Sequence, residues 1–194
     1  MKKLIGQSKI NTAVFFSGRG SNFKSLIKFS LLKDSPIIIK FAVTNNHQAK
    51  GIQIAKKYRI KKKIYSYKNK KKVEKEILDD LNLENIDLIC LAGFMKILTK
   101  NFIQKFQGKI LNIHPSLLPK YKGLNTHKRV IRNNEKFSGC SVHLVTSKLD
   151  SGKIILQKKV KINKKDTYKS LEKKILKQEH LLYPKAIKKI FSNR

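Results

Sequence analysis

The sequence is poor in acidic residues, arginine and cysteine, and it contains no long apolar run. Its 194 residues include 12 Asp and Glu against 45 Lys and Arg, a formal net charge of +33. Such an imbalance ordinarily suggests a nucleic-acid partner. Arginine, however, is confined to Arg19, Arg59, Arg129, Arg132 and Arg194, although it is the preferred side chain for bidentate recognition of phosphates and bases. The lysines are scattered, with clusters at 56–57, 61–63, 70–72, 158–159, 164–165, 173–174 and 188–189. A lysine-biased composition explains them as well as a binding surface does, so no specific nucleic-acid partner is expected. Two isolated cysteines, Cys90 and Cys140, fit neither a disulfide framework nor a zinc pattern and read as buried thiols. No stretch is apolar for long enough to span a bilayer, and residues 1–7 are too short for the apolar segment of a signal peptide. The expectation is a cytoplasmic protein with no membrane partner.

What is present is a regular alternation of apolar runs and helical patterns. Strands are expected at 12–16, 37–43, 63–67, 86–91, 109–113, 139–145 and 154–162, and helices at 22–32, 48–58, 71–83, 99–106, 126–133 and 167–191. This order predicts an α/β fold: a mostly parallel, twisted, Rossmann-like sheet of about seven strands with helices on both faces. With no repeat, linker or second composition, residues 1–194 read as a single domain, the first ten as an N-terminal extension. Ligands of such sheets gather beyond the carboxyl ends of the strands.

Two motifs fall at such ends. The apolar run 13–16 is followed by Ser17-Gly18-Arg19-Gly20-Ser21-Asn22 and then a helix pattern. A glycine turn entering a helix exposes N–H groups at a helix N-terminus, which suits a phosphate. Phe23 stands where a dinucleotide fingerprint has its third glycine, no acid closes the second strand, and the Walker lysine is absent, so a single phosphate is the expected occupant. A purely structural strand-to-helix turn is the alternative. The second motif is Leu111-Asn112-Ile113-His114-Pro115-Ser116-Leu117-Leu118-Pro119. Strand alternation puts Asn112 and His114 on one face. An amide donor and an imidazole converging on one atom suit acyl transfer, which needs a partner for a developing oxyanion and a group that handles a proton. Strand-end hydrogen bonds are the plainer reading. In the last helix Glu179 falls on the apolar stripe of Leu171, Ile175, Leu182 and Ala186, where a carboxylate needs a partner, a core-edge lysine or a ligand.

Together these segments resemble the phosphoribosylglycinamide formyltransferase family, folate-dependent enzymes of purine synthesis. Leu91-Ala92-Gly93-Phe94-Met95-Lys96-Ile97-Leu98, Ser141-Val142-His143, Leu149-Asp150-Ser151-Gly152 and Gln178-Glu179-His180 extend the similarity from about Asn11 to the end of the chain. The resemblance implies formyl transfer from 10-formyltetrahydrofolate, a co-substrate, to the amine of 5-phosphoribosylglycinamide, with no metal and no permanently bound cofactor. It implies a catalytic set of Asn112, His114 and Asp150, with the carboxylate of Asp150 favouring the imidazolium of His114. It implies ribonucleotide contacts at Gly20, Ser21, Asn22 and Glu179. The folate would lie on Met95, Lys96, Ile97, Leu98, Asn112, Thr146, Ser147, Lys148, Leu149 and Asp150. Lys70 replaces an arginine common near the folate, which weakens bidentate carboxylate binding there. Lys122 and Asn125 depart from a proline and a histidine frequent in relatives. His127 and His143 read as structural or loop residues. Partners are expected to be small molecules, and the protein a monomer or homodimer.

Related activities remain open. Formyl transfer to methionyl-tRNA would suit the positive charge, but similar enzymes with that activity carry a further C-terminal domain. Formyltetrahydrofolate hydrolases carry an N-terminal regulatory domain for which the residues before Asn11 leave no room. A basic nucleic-acid-binding module on the same fold is the non-enzymatic alternative.

Overall fold

A computed structural model describes residues 9–191. Of the expected N-terminal extension, residues 1–8 lie outside the described part, and Ile10 already opens the first strand. Seven strands and six helices follow one another as β1 (Ile10–Phe16), α1 (Ser21–Ser30), β2 (Ile37–Thr44), α2 (Gly51–Lys57), β3 (Lys61–Ile64), α3 (Lys70–Leu83), β4 (Leu88–Leu91), α4 (Lys100–Lys105), β5 (Lys109–His114), α5 (Thr126–Arg132), β6 (Phe137–Leu144), β7 (Ile154–Lys161) and α6 (Tyr168–Phe191). The sheet order is β3-β2-β1-β4-β5-β6-β7. Strands β1 to β5 pair in parallel, whereas β6 and β7 are antiparallel additions at one edge.

The central strands are apolar on both faces because helices cover both. In β1, Val14 and Phe16 pack with Phe23 and Leu26 of α1 and with Ile175 and Tyr183 of α6, while Ala13 and Phe15 face Val73 and Ile77 of α3 and Phe102 of α4. The edge strand β3 is shorter and earlier than the expected 63–67. Its four residues are exposed, and Tyr65 and Tyr67, which read as strand residues, lie beyond its end. Three lysines on a short edge leave little that another strand could pair with. Cys90 and Cys140 are free buried thiols, pushed by burial to pKa values of about 12.

Helix α6 contains Pro184, which has no N–H to offer the carbonyl of His180 one turn earlier. The hydroxyl of Ser25 in α1 donates to that carbonyl at 2.9 Å. The break in the helix ladder is thereby satisfied, and α6 is tied to α1 beside the site. Tyr183, one residue earlier, sends its buried hydroxyl to the carbonyl of Leu111 in β5 at 2.9 Å. These contacts fix α6 against α1 and β5.

Candidate active site

Strand β5 alternates as its sequence requires. Leu111 and Ile113 enter one core, Ile110 the other, and Asn112 and His114 follow Ile110 toward a cavity of about 580 Å³ at the carboxyl end of the sheet. The segment after His114 is folded back by Ser141 of β6, which donates to the Ser116 carbonyl at 2.6 Å and accepts from the Leu118 N–H at 3.1 Å. Tyr121 consequently presents its carbonyl to His114 Nε2 at 2.8 Å. A carbonyl only accepts, so Nε2 carries a proton, and in the neutral ring Nδ1 keeps the lone pair. That Nδ1 lies 3.4 Å from Asp150 Oδ2. Asp150 is further held by the Gly123 N–H at 2.9 Å. Tyr121, Gly123, Asn125 and Asp150 all have left-handed backbone, a concentration of costly conformations around one imidazole.

Asp150 favours the imidazolium of His114, as expected, but burial of the ring acts more strongly. Burial lowers its pKa below the usual 6.5, assisted by His143 and Arg129, and it outweighs the opposing pull of the Tyr121 carbonyl and of Asp150. The neighbouring carboxylate therefore does not hold a resident imidazolium. Asp150 is itself driven upward by burial, but its interactions with His143, the Gly123 N–H and His114 bring it below its usual value, so it is ionised.

His143 was expected to be structural, yet it completes this cluster. Its Nδ1 lies 2.8 Å from the Leu144 carbonyl, which fixes the proton there and leaves Nε2 as an acceptor. Asn112 Nδ2 lies 3.1 Å from that Nε2, and its second hydrogen points to Asp150 Oδ1 at a long 3.4 Å. One amide hydrogen is thus firmly engaged and the other loosely. His143 stands directly opposite Asn112 in the antiparallel register of β5 and β6. That pairing, which no local sequence pattern announces, is what brings it to the site.

The folate candidates Met95, Lys96, Ile97 and Leu98 line one wall of the cavity, and Thr146, Ser147, Lys148 and Leu149 line another. Met95, Ile97 and Leu149 are half or more exposed, which gives a flat ligand apolar walls. Met95 is tied to the glycine turn after β1, because its N–H donates to Ser17 Oγ at 2.8 Å. Lys70 opens α3 and is not among the lining residues.

At the other end the cavity reaches Asn22, Glu172 and Glu179. Helix α1 starts after Gly20, and the first N–H groups of a helix have no partner within it. Gly20 and Ser21 do not line the cavity itself. Gly20 has φ +73°, and a Cβ there would meet Gly51 Cα of α2 at 2.8 Å. The glycine is thus required by backbone conformation and by close packing on α2, whatever occupies the turn. Glu179 is buried, and its protein partner is an amide and not a core-edge lysine: Asn22 Nδ2 donates to Oε2 at 2.7 Å. Burial raises the pKa of Glu179, and the Asn22 hydrogen bond only partly opposes this. Asn22 Oδ1 and His127 Nδ1 are buried with no hydrogen-bond partner among the described residues. Among those residues no group of three or more His, Cys, Asp or Glu is placed to hold a metal ion, and no helix is long and apolar enough to cross a membrane.

Comparison with known proteins returns one family. The profile described as Formyl transferase matches residues 10–187. Phosphoribosylglycinamide formyltransferase of Haemophilus influenzae is 41% identical over 179 residues, covering 91% of this chain and 84% of that protein. The human trifunctional purine biosynthetic protein adenosine-3 is 38% identical over 96% of this chain, which spans only 19% of that longer protein. The crystal structure of phosphoribosylglycinamide formyltransferase from Brucella melitensis superimposes with a TM-score of 0.89 at 38% identity, covering 94% of this chain and 96% of that one.

Proposed function

The chain belongs to the formyl transferase family, and from that premise we infer that it transfers the formyl group of 10-formyltetrahydrofolate to the amine of 5-phosphoribosylglycinamide in purine biosynthesis. The products are the formylglycinamide ribonucleotide and tetrahydrofolate. The observation that carries this reading is one cavity with Asn112, His114 and Asp150 at its centre, an apolar cleft on one side and the start of α1 on the other.

The folate is bound as a co-substrate. Its flat ring fits the cleft between residues 95–98 and 146–150, where main-chain groups read its polar edge and Met95, Ile97 and Leu149 cover its faces. Lys70, outside this lining, would act only as a point charge on a part of the folate reaching beyond the cleft. The ribonucleotide phosphate lies on the N–H groups of Gly20, Ser21 and Asn22, and Glu179 contacts the same substrate.

In the reaction the neutral amine attacks the formyl carbon, and negative charge grows on the formyl oxygen. Asn112 donates its loosely held hydrogen to that oxygen. The nitrogen gains positive charge and gives a proton to the free Nδ1 of His114, beside which Asp150 stabilises the imidazolium. The oxyanion then collapses to the new amide as the carbon–nitrogen bond to the folate breaks, and the imidazolium of His114 gives its proton to the departing folate nitrogen and returns to the neutral ring. A neutral resting His114 suits this role better than a resident imidazolium, since only the neutral ring can accept the proton.

Both substrates are small molecules, and we place the protein in the cytoplasm as a monomer or homodimer without a specific nucleic-acid partner. Parallel assays with 10-formyltetrahydrofolate and either free ribonucleotide or charged methionyl-tRNA test the reading. Turnover is expected with the ribonucleotide alone. Turnover only with the tRNA would overturn it.

A further inference from the structure

We propose that Arg19 is a phosphate ligand held in reserve: in the free protein it pairs with Glu172, and it exchanges that carboxylate for the phosphate of the incoming ribonucleotide. The inference rests on the functional reading above and adds a specificity residue to it.

Arg19 stands inside the turn, between Gly18 and Gly20 and immediately before the exposed N–H groups of α1. It is the only arginine of that turn, in a chain whose positive charge is mostly lysine. Its guanidinium forms an ion pair with Glu172 of α6, and Glu172 lines the same cavity as Asn22 and Glu179. The pair therefore joins the turn to the helix facing it at the ribonucleotide end.

Electrostatics favour an exchange. That end already holds two carboxylates, Glu172 and Glu179, and Glu172 contributes to the raised pKa of Glu179. A phosphate dianion entering beside them meets like charge, which a helix N-terminus of about half a charge does not balance. Arg19 can, because a guanidinium forms paired hydrogen bonds with phosphate. The pair is also easy to open. The Arg19 side chain is 71% exposed and that of Glu172 39%, and exposed ion pairs contribute at most about 1 kcal/mol, a factor of about five. Lys128, which lines the cavity too, is already placed over the ring of Tyr168, 5.2 Å from its centre.

Steady-state kinetics with Arg19→Ala, Arg19→Lys and Glu172→Gln test the proposal, using the ribonucleotide and its unphosphorylated riboside. Arg19→Ala should raise KM for the ribonucleotide about tenfold, as expected for a lost charged hydrogen bond. KM for the folate, kcat and kinetics with the riboside should not change. Arg19→Lys should fall between, since lysine supplies charge without the fork. Glu172→Gln should act in the opposite direction, lowering KM by up to about fivefold. That gain should largely disappear in the Arg19→Ala background, because the two groups are coupled. An unchanged KM in Arg19→Ala, an equal effect on the riboside, or a rise in KM in Glu172→Gln would overturn the exchange. An inactive wild type would instead overturn the functional reading.

Discussion

Asn112 Nδ2 lies 3.1 Å from His143 Nε2, and this contact decides which end of the amide is spent on the protein. The order of causes runs backward along β6. His143 donates from Nδ1 to the Leu144 carbonyl, so in the neutral ring Nε2 can only accept, and Asn112 must present its NH₂ group there. Without that chain the amide could turn over, and the proposed oxyanion donor would become an acceptor.

His143→Ala should therefore damage the reaction through Asn112. We expect kcat to fall roughly tenfold, less than the ~100-fold or greater loss typical when an oxyanion donor itself is removed, with KM for both substrates nearly unchanged. His143→Gln can still accept a hydrogen bond and should recover part of the loss. If both variants keep wild-type kcat, His143 is only a packing residue.

Much of this site was legible from local pattern. Strand alternation alone aligned Asn112 with His114, and the glycine turn before an amphipathic helix marked α1. Register was not legible. Nothing near residue 143 says that it faces Asn112, since that follows from how β6 pairs with β5 across the 31 residues separating them in sequence. Nor could the ionisation of His114 be read from its neighbours in sequence, because it depends on how deeply the loop 115–125 buries the ring. Gly20 illustrates a third limit. Its glycine was legible as a phosphate requirement, whereas the structure shows a close approach to Gly51. Strand β3 ends earlier than expected because Tyr65 and Tyr67 carry strand propensity but lie past its last residue, where Tyr65 is buried in the core with Val73 and Ile77.

Glu179 should cost the fold stability that the active site requires. Its folded pKa is raised, so its contribution is most favourable below the unfolded value of about 4.5 and is lost as pH rises through the folded one. Above that window Glu179→Gln, which can still accept from Asn22, should stabilise the protein by about 1 kcal/mol, or roughly 2–4 °C in Tm for a chain of this size. The same variant should bind the ribonucleotide more weakly. A lower Tm at pH 7.5 would show that the carboxylate is better compensated than its single amide contact indicates.

The lysine surface should behave as a solvated coat. Binding to RNA or DNA of any sequence is expected at low salt and should fade by about 150–200 mM, where nonspecific phosphate contacts weaken. Turnover of the small substrates should persist there. Sequence-selective binding at that salt concentration would assign the lysines a partner.

The closing prediction concerns the proton. His114 must be neutral to accept it at Nδ1, and burial holds its pKa below 6.5. The acidic limb of kcat/KM assigned to this group should therefore have its midpoint below 6.5 and level off above. Asp150 pulls that pKa upward, so Asp150→Asn should move the limb to lower pH by about one unit, the lower end of what a nearby opposite charge does. On the plateau the same variant should lose about 100-fold in kcat, because the imidazolium formed in the reaction no longer has its counter-charge. The substrate amine titrates independently and should contribute the same limb to wild type and variant. His114→Ala should remove the shifted limb altogether, and combining it with Asp150→Asn should cost little more than His114→Ala alone, since the two groups serve one proton. An acidic limb that stays in place in Asp150→Asn, or near-native turnover in His114→Ala, would mean that the proton leaves by another route.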